Sequence, residues 1–242
     1  IETCRTKLVG EYIGETEKHI RQAIEEARGG VLFIDEAYTL ITTKQETKDF
    51  GKEVIHALLT VLSEPNPDMI IIPGTKNTIG DLKWLRQSGM EATILKHASN
   101  GTVVFGVCGG YQMLGKNISD PYGVEEGGDT PGLGLLNVET SFIEHKRTIQ
   151  MAGKFGNVKG IFSNLSGMPL FGYEIHSGVT TFPEQDALTC IRPIHEDGED
   201  MLEGSQNTEG NLNVYGTYVH GVFDSDGIAA KIVEALLAKK GL

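Results

Sequence analysis

Cys108 stands among glycines, in Gly106-Val107-Cys108-Gly109-Gly110, directly after the apolar run "TVVF" and directly before the helix-like "YQMLG". A thiol at a sharp strand-to-helix turn is lifted to the top of a sheet, and flanking glycines permit strained backbone and close approach of a substrate. The partial positive charge of a helix N-terminus favours thiolate, so a lowered thiol pKa is expected. The N–H of Gly109, next in sequence, is placed to bind an oxyanion. A nucleophilic thiol also needs a base. Among seven histidines, His220 in "VYGTYVHGVFD" ends an alternating run just before a glycine. Catalytic residues of α/β folds collect at such strand-end loops. His176 in "GYEIHSG" is the second candidate. The competing reading of Cys108 is an inert core thiol.

These residues need a sheet edge to stand on. "DMIIIPG" and "GTVVFGV" are apolar runs of strand length, the first closed by a Pro-Gly turn. "TIGDLKWLRQSG" between them is helical with a glycine stop, and "GGYQMLGKNI" starts another helix. "DPYGVEEGGDTPG" is a Gly- and acid-rich loop, "GLGLLNVETSFI" reads as strands, and about 140–217 is strand-rich with turns. The end, "GIAAKIVEALLAKKGL", is an amphipathic helix whose basic last turns suit the helix dipole. Nearer the N-terminus, "TEKHIRQAIEEARGG" puts Ile20, Ala23, Ile24 and Ala27 at helical spacing. "VLFIDEA" reads as a buried strand with an acidic tip, and "DFGKEVIHALLTVLSE" as a helix ended by Pro65 and Pro67. Strands alternating with helices predict an α/β fold with a mainly parallel sheet and flanking helices.

Composition narrows the function classes. A net charge of −12 argues against broad nucleic-acid binding, which needs clustered Lys and Arg. No apolar run approaches membrane-spanning length, so no membrane partner is expected, and the N-terminus carries no signal-peptide pattern. The chain begins at Ile1 without an initiator Met and reads as a fragment or processed product. Cys4, Cys108 and Cys190 form neither a metal-ligand pattern nor a disulfide framework, which fits a reducing cytoplasm and no metal site.

"GVCGGYQMLG" resembles the nucleophile segment of class I glutamine amidotransferases, Gly-x-Cys-x-Gly-x-Gln. More narrowly, "IIIPGTKNTIGDLKWLRQSG", "GLGLLNVET", "GYEIHSG" and "GTYVHGVFDSDG" are similar, in that order, to the C-terminal amidotransferase domain of the cobyric acid synthase family. The likeness covers about residues 67–242. It implies Cys108 as nucleophile, His220 as general base, and Gly74 of "PGTKNT" with Gly109 as the oxyanion hole. His220 is followed by Gly221-Val222-Phe223 rather than the Pro-x-Glu of the wider class, so the third member is open. Glu174, His176 and Gln112 are candidates to orient the base or bind substrate. The resemblance further implies glutamine as substrate and no cofactor in this domain. The ammonia would go to carboxylates of a cobyrinic acid diamide, a corrinoid acceptor, activated by ATP and Mg²⁺ in a separate synthetase domain. A related amidotransferase acting on another acceptor, such as a cell-wall lipid precursor, is the alternative.

Residues 7–64 differ. "KLVGEYIGETEKHIRQAIEEARGGVLFIDEAYTL" and "DFGKEVIHALLTVLSE" resemble part of an AAA-type ATPase of the stage V sporulation protein K group. The resemblance makes "VLFIDEA" a Walker B strand, with Asp35 helping to hold Mg²⁺ and Glu36 polarising water. No Gly-x-x-x-x-Gly-Lys-Ser/Thr occurs, so these two would act only on a phosphate loop supplied elsewhere. An ATPase-derived module or an inactive fusion remnant are the competing readings of the chain. The expected domains are 1–64, AAA-like, and 65–242, an amidotransferase domain lacking its usual first β-α unit. The N-terminal piece either replaces that unit or leaves a sheet edge uncovered.

Overall fold

The helical spacing of Ile20, Ala23 and Ile24 does build the inner face of a helix. The structure, a computed structural model, describes residues 1–10, 15–40, 51–62, 67–195 and 198–242. They fall into two compact units, residues 1–67 with 84–93 and residues 68–83 with 94–242. Pro65 and Asn66 of the expected boundary lie outside the described residues.

In the first unit, β1 (Glu2–Thr3), α1 (Arg5–Leu8), α2 (Glu15–Glu26), β2 (Phe33–Ile34) and α3 (Gly51–Leu62) follow one another. Ile20 joins Leu8, Leu40, Val54, Ile55 and Leu58 in a core, with Ala23 and Ile24 packed against it. Arg5 ties the N-terminus to the segment after β2, donating to the carbonyls of Thr39 at 2.7 Å and Leu40 at 3.1 Å. The buried strand expected over "VLFIDEA" shrinks to Phe33–Ile34. Val31 is 64% and Phe33 44% exposed, because β2 pairs with β1 in a two-stranded sheet and no second layer covers that face among the described residues.

The second unit carries the chemistry. It opens with β3 (Met69–Ile72) and the first half of α4 (Thr78–Ser88) and resumes in α5 (Met90–Ser99), residues 84–93 of these helices belonging to the first unit; one helix was expected before β4 (Val103–Val107). Gly89, at φ 81°, makes the break between α4 and α5. Then come α6 (Gly109–Leu114), β5 (Asn117–Asp120), β6 (Gly128–Pro131), β7 (Glu139–Phe155), β8 (Pro169–Thr181) and β9 (Thr189–Pro193). The chain ends with β10 (Met201–Glu203), β11 (Ser205–Asn207), β12 (Val214–Thr217), β13 (Val219–His220) and α7 (Ile228–Lys239). The loop expected over "DPYGVEEGGDTPG" thus supplies a strand, β6.

Two sheets result. In the four-stranded sheet, ordered β11-β12-β4-β3, the last three strands run parallel and β11 is antiparallel. The register sets Ile72 beside Gly106, and Val107 beside Thr217. The segments that leave these strands therefore emerge together at one edge: Pro73-Gly74, Cys108, and Tyr218 to His220. The seven-stranded sheet, built on β10-β9-β7-β5-β6 with β8 and β13 attached, is largely antiparallel; only β5 and β7 run parallel. The α/β class holds, but the mainly parallel arrangement is confined to the smaller sheet. From β5 onward turns, loops and the short 3-10 helices Gly160–Leu165 and Glu184–Asp186 connect the described strands instead of α-helices, and a parallel pair needs a long crossover. β12 and β13 are separated by Tyr218 alone yet belong to different sheets.

Phe105 and Tyr215 of the parallel strands pack with Phe155, Phe162, Val219 and Ile228 in the core of this unit. Burial of a side chain such as Phe105 contributes about 1.5–3 kcal/mol. In α7, Ile228, Ile232 and Ala235 form the buried stripe expected of an amphipathic helix. No helix among the described residues is long and apolar enough to cross a membrane.

Candidate active site

Cys108 has φ 53° and ψ −111°, a conformation that side chains other than glycine rarely adopt. The elbow is pinned on both sides. Its N–H donates to the carbonyl of Thr217 at 2.8 Å, and its own carbonyl accepts the N–H of Gln112 at 3.1 Å, which begins α6. The turn is possible only because α6 starts against β3. A Cβ on Gly110 would lie 1.9 Å from the Ile72 carbonyl oxygen, so no other residue fits there. The thiol of Cys108 points to the carbonyl of Ile175, 3.4 Å away.

His220 lies close to Cys108. A Cβ on Gly74 would stand 3.1 Å from His220 Cε1 and 3.4 Å from Cys108 Cβ, so the two side chains meet across Gly74. The structure brings together Cys108, Gly109, Gly74 and His220 of the sequence-derived set. Burial pushes the His220 pKa below its usual value, a hydrogen bond at the Ile175 backbone opposes this, and the nearby Lys146 charge adds to it. His220 Nε2 is buried and has no hydrogen-bond partner.

The thiol does not match the expectation of a lowered pKa. Burial pushes Cys108 up to about 11, against the weaker opposing effects of the Gly109 N–H and of Lys146. Desolvation of a residue that is 6% exposed outweighs both. At neutral pH the resting groups are therefore thiol and neutral imidazole, with the thiol on the Ile175 carbonyl and His220 Nε2 unpartnered.

The three candidate supporting residues have defined partners. Glu174 is buried and paired with Arg147, Nε to Oε2 2.8 Å; burial raises its pKa and the Arg147 charge opposes that. Glu174 is thus engaged by Arg147, while the hydrogen bond of His220 goes to the backbone at Ile175, the next residue of β8. The His176 ring stacks on Tyr218 at 3.7 Å between centroids, and its Nδ1 lies 2.7 Å from the Gly178 carbonyl, which makes Nδ1 the protonated nitrogen. Burial lowers the His176 pKa to about 4, and Nε2 is buried without a partner. Gln112 is buried; its Oε1 accepts from the Thr78 hydroxyl and its Nε2 donates to the Tyr218 hydroxyl, each at 3.1 Å. It braces α4 against Tyr218.

Further supports escaped the sequence reading. The Glu125 carboxylate accepts the N–H groups of Thr78 at 3.0 Å and Ile79 at 2.8 Å, capping α4 directly after the Gly74 loop. Asp120 in turn folds the Glu125 loop by accepting from Val124, Glu125 and Gly127 at 2.8–2.9 Å. Desolvation acts to raise the Asp120 pKa, but these backbone donors together outweigh it and hold the carboxyl low. Carboxylates in an acid-rich loop give no sequence signal that distinguishes a cap from a solvated charge. Asp35 and Glu36 lie in the first unit, both exposed, with the Asp35 carboxylate accepting the Glu36 N–H at 2.9 Å. Among the described residues no group of three or more His, Cys, Asp or Glu is placed to hold a metal ion.

Comparison with known proteins adds to this geometry. A protein-family model described as "CobB/CobQ-like glutamine amidotransferase domain" matches residues 39–228. A protein named cobyric acid synthase from Ruminiclostridium cellulolyticum is 50% identical over 181 residues, covering 73% of this chain and 34% of that one. Its namesakes from Lachnoclostridium phytofermentans and Dehalococcoides mccartyi are 48% and 44% identical, each covering 73% of this chain and 35% of theirs. The chain spans about a third of the length of the curated relatives it matches. The family match begins at residue 39, inside the stretch that resembles an ATPase, and neither it nor these relatives support that resemblance.

Proposed function

The chain belongs to the CobB/CobQ-like glutamine amidotransferase domain family, and from that premise we propose that Cys108 and His220 hydrolyse the side-chain amide of glutamine. The observation that carries the proposal is Cys108 at a positive φ, with its side chain and that of His220 both against Gly74. His220 Nε2 takes the thiol proton as Sγ bonds to the amide carbon, and the carbonyl π electrons move to oxygen. The N–H groups of Gly74 and Gly109 receive that oxyanion, a contribution of about 3 kcal/mol per donor. The C–N bond then breaks, and ammonia leaves with the proton held by His220. A water molecule, deprotonated by His220, attacks the thioester; the C–S bond breaks, glutamate departs and the proton returns to sulfur. The carbonyl of Ile175 orients His220, the task that a carboxylate performs in a triad.

The ammonia serves ATP- and Mg²⁺-dependent amidation of carboxylates on a cobyrinic acid diamide, carried out in the cytoplasm by synthetase residues outside this span. The name carried by the relatives supports this part of the reading. Asp35 and Glu36 have no part in the chemistry. The test is release of glutamate and ammonia from glutamine by the purified chain. Wild type turns over and Cys108→Ala does not; undiminished turnover by Cys108→Ala overturns the proposal.

A further inference from the structure

We propose that Glu203 is a positioning residue of this site: its buried carboxylate holds the crossing from β12 to β13 and so sets His220 against Cys108. The inference rests on the amidase reading of that pair. Tyr218, the crossing residue, leaves one sheet and enters the other, so its N–H has no place in either ladder. A buried N–H left unpaired is costly. Glu203 Oε1 accepts it at 2.6 Å. Oε2 accepts the hydroxyl of Thr217 at 2.6 Å and that of Thr189 at 2.7 Å. The Thr217 hydroxyl oxygen in turn accepts the Val219 N–H at 3.1 Å. One carboxylate thus fixes three consecutive residues, 217 to 219.

Both partners of the site hang on those residues. The Thr217 carbonyl accepts the N–H of Cys108 at 2.8 Å, and Val219 directly precedes His220. A shift at the crossing therefore changes the thiol–imidazole relation without touching either side chain. Three donors converge on two oxygens, an arrangement that suits a carboxylate and that a carboxamide, with one acceptor oxygen and two donors of its own, cannot reproduce. The fold retains this charge at a cost: burial pushes the Glu203 pKa up to about 7, with Thr217, Tyr218 and Thr189 pulling against it and Glu174 adding to it. Costly ionisable groups of this kind concentrate at functional sites.

The experiment compares Glu203→Gln, Thr217→Val and Thr217→Ser with wild type. Glutamine hydrolysis is measured per mole of folded protein, and iodoacetamide alkylation of Cys108 is followed at pH 7.5 by peptide mass spectrometry. Glu203→Gln and Thr217→Val are expected to lose at least tenfold in kcat with KM within twofold, and to slow alkylation of Cys108 at least fivefold. Thr217→Ser, which keeps the hydroxyl, is expected to restore both. A purely structural role would lower the melting temperature and leave kcat per folded molecule unchanged, and that result overturns the inference. If Glu203→Gln does not fold, the Thr217 pair decides alone. If wild type releases no ammonia the glutaminase reading fails, and alkylation still decides: slower in Thr217→Val than in Thr217→Ser supports positioning, equal rates refute it.

Discussion

Replacing Cys108 by glycine should leave a more stable protein than replacing it by alanine. Elsewhere in a strand or helix the order is the reverse, because glycine gives up more backbone freedom on folding, about 0.5–1 kcal/mol. At this elbow, φ 53° and ψ −111° strain any residue that carries a Cβ. Such strain costs of order 1–3 kcal/mol. Both variants lose the sulfur, its burial and its 3.4 Å contact with the Ile175 carbonyl, so those losses cancel in the comparison. The difference left is relief of strain less the entropy of glycine, about 1 kcal/mol in favour of Cys108→Gly. For a chain of this size that corresponds to about 2–4 °C in melting temperature. Calorimetric melts of the two variants at one pH and salt concentration measure it, and both should be inactive on glutamine. If Cys108→Ala melts at or above Cys108→Gly, the elbow is not strained, and the account of why glycines surround it fails.

His220→Asn should lower glutamine turnover by about 10²–10⁴, the range for loss of a general base. It should also slow alkylation of Cys108 near pH 7.5, since a thiol pushed to about 11 needs an acceptor for its proton; an unchanged alkylation rate would remove His220 from that role. Glu125→Ala should destabilise the chain by about 1 kcal/mol in urea unfolding, because two α4 N–H groups lose their acceptor. His176 titrates near 4 when folded and near 6.5 when unfolded, so the unfolded chain binds the extra proton. This linkage is absent above pH 6.5 and lowers the stability of the fold as pH falls toward 4, by at most about 3 kcal/mol. His176→Gln should flatten that part of the stability–pH curve, and an equally steep curve in the variant would show that another group is responsible.

The candidate site was legible in sequence where the geometry is local. A cysteine between glycines at the junction of a strand and a helix announces its own geometry, because backbone strain and close packing leave few residue types able to serve. His220 was legible for a similar reason, as the end of an alternating run before a glycine. Glu174 was legible only as a residue type. Its sequence neighbour His176 drew attention to it, but the β7–β8 register puts it next to Arg147, and that pairing is decided by a strand more than twenty residues away. The two-residue β2 was misjudged because apolar content predicts burial only when a second layer exists to bury it.

What the sequence hides most completely is support that acts through the backbone. The Ile175 backbone contacts both the Cys108 thiol and His220, yet a carbonyl is common to every residue and leaves no trace in composition. Glu203 and Glu125 are hidden differently. Each is one acid among many in an acidic chain, and its role depends on which N–H groups the register leaves without a ladder partner. Those orphaned donors arise where the fold departs from regular structure, at the β12–β13 crossing and at the start of α4. The same departures create the edge on which Cys108, Gly74 and His220 meet. Irregular backbone exposes donors that must be satisfied, carboxylates satisfy them, and on the proposed reading the geometry they fix is what the thiol and the imidazole need.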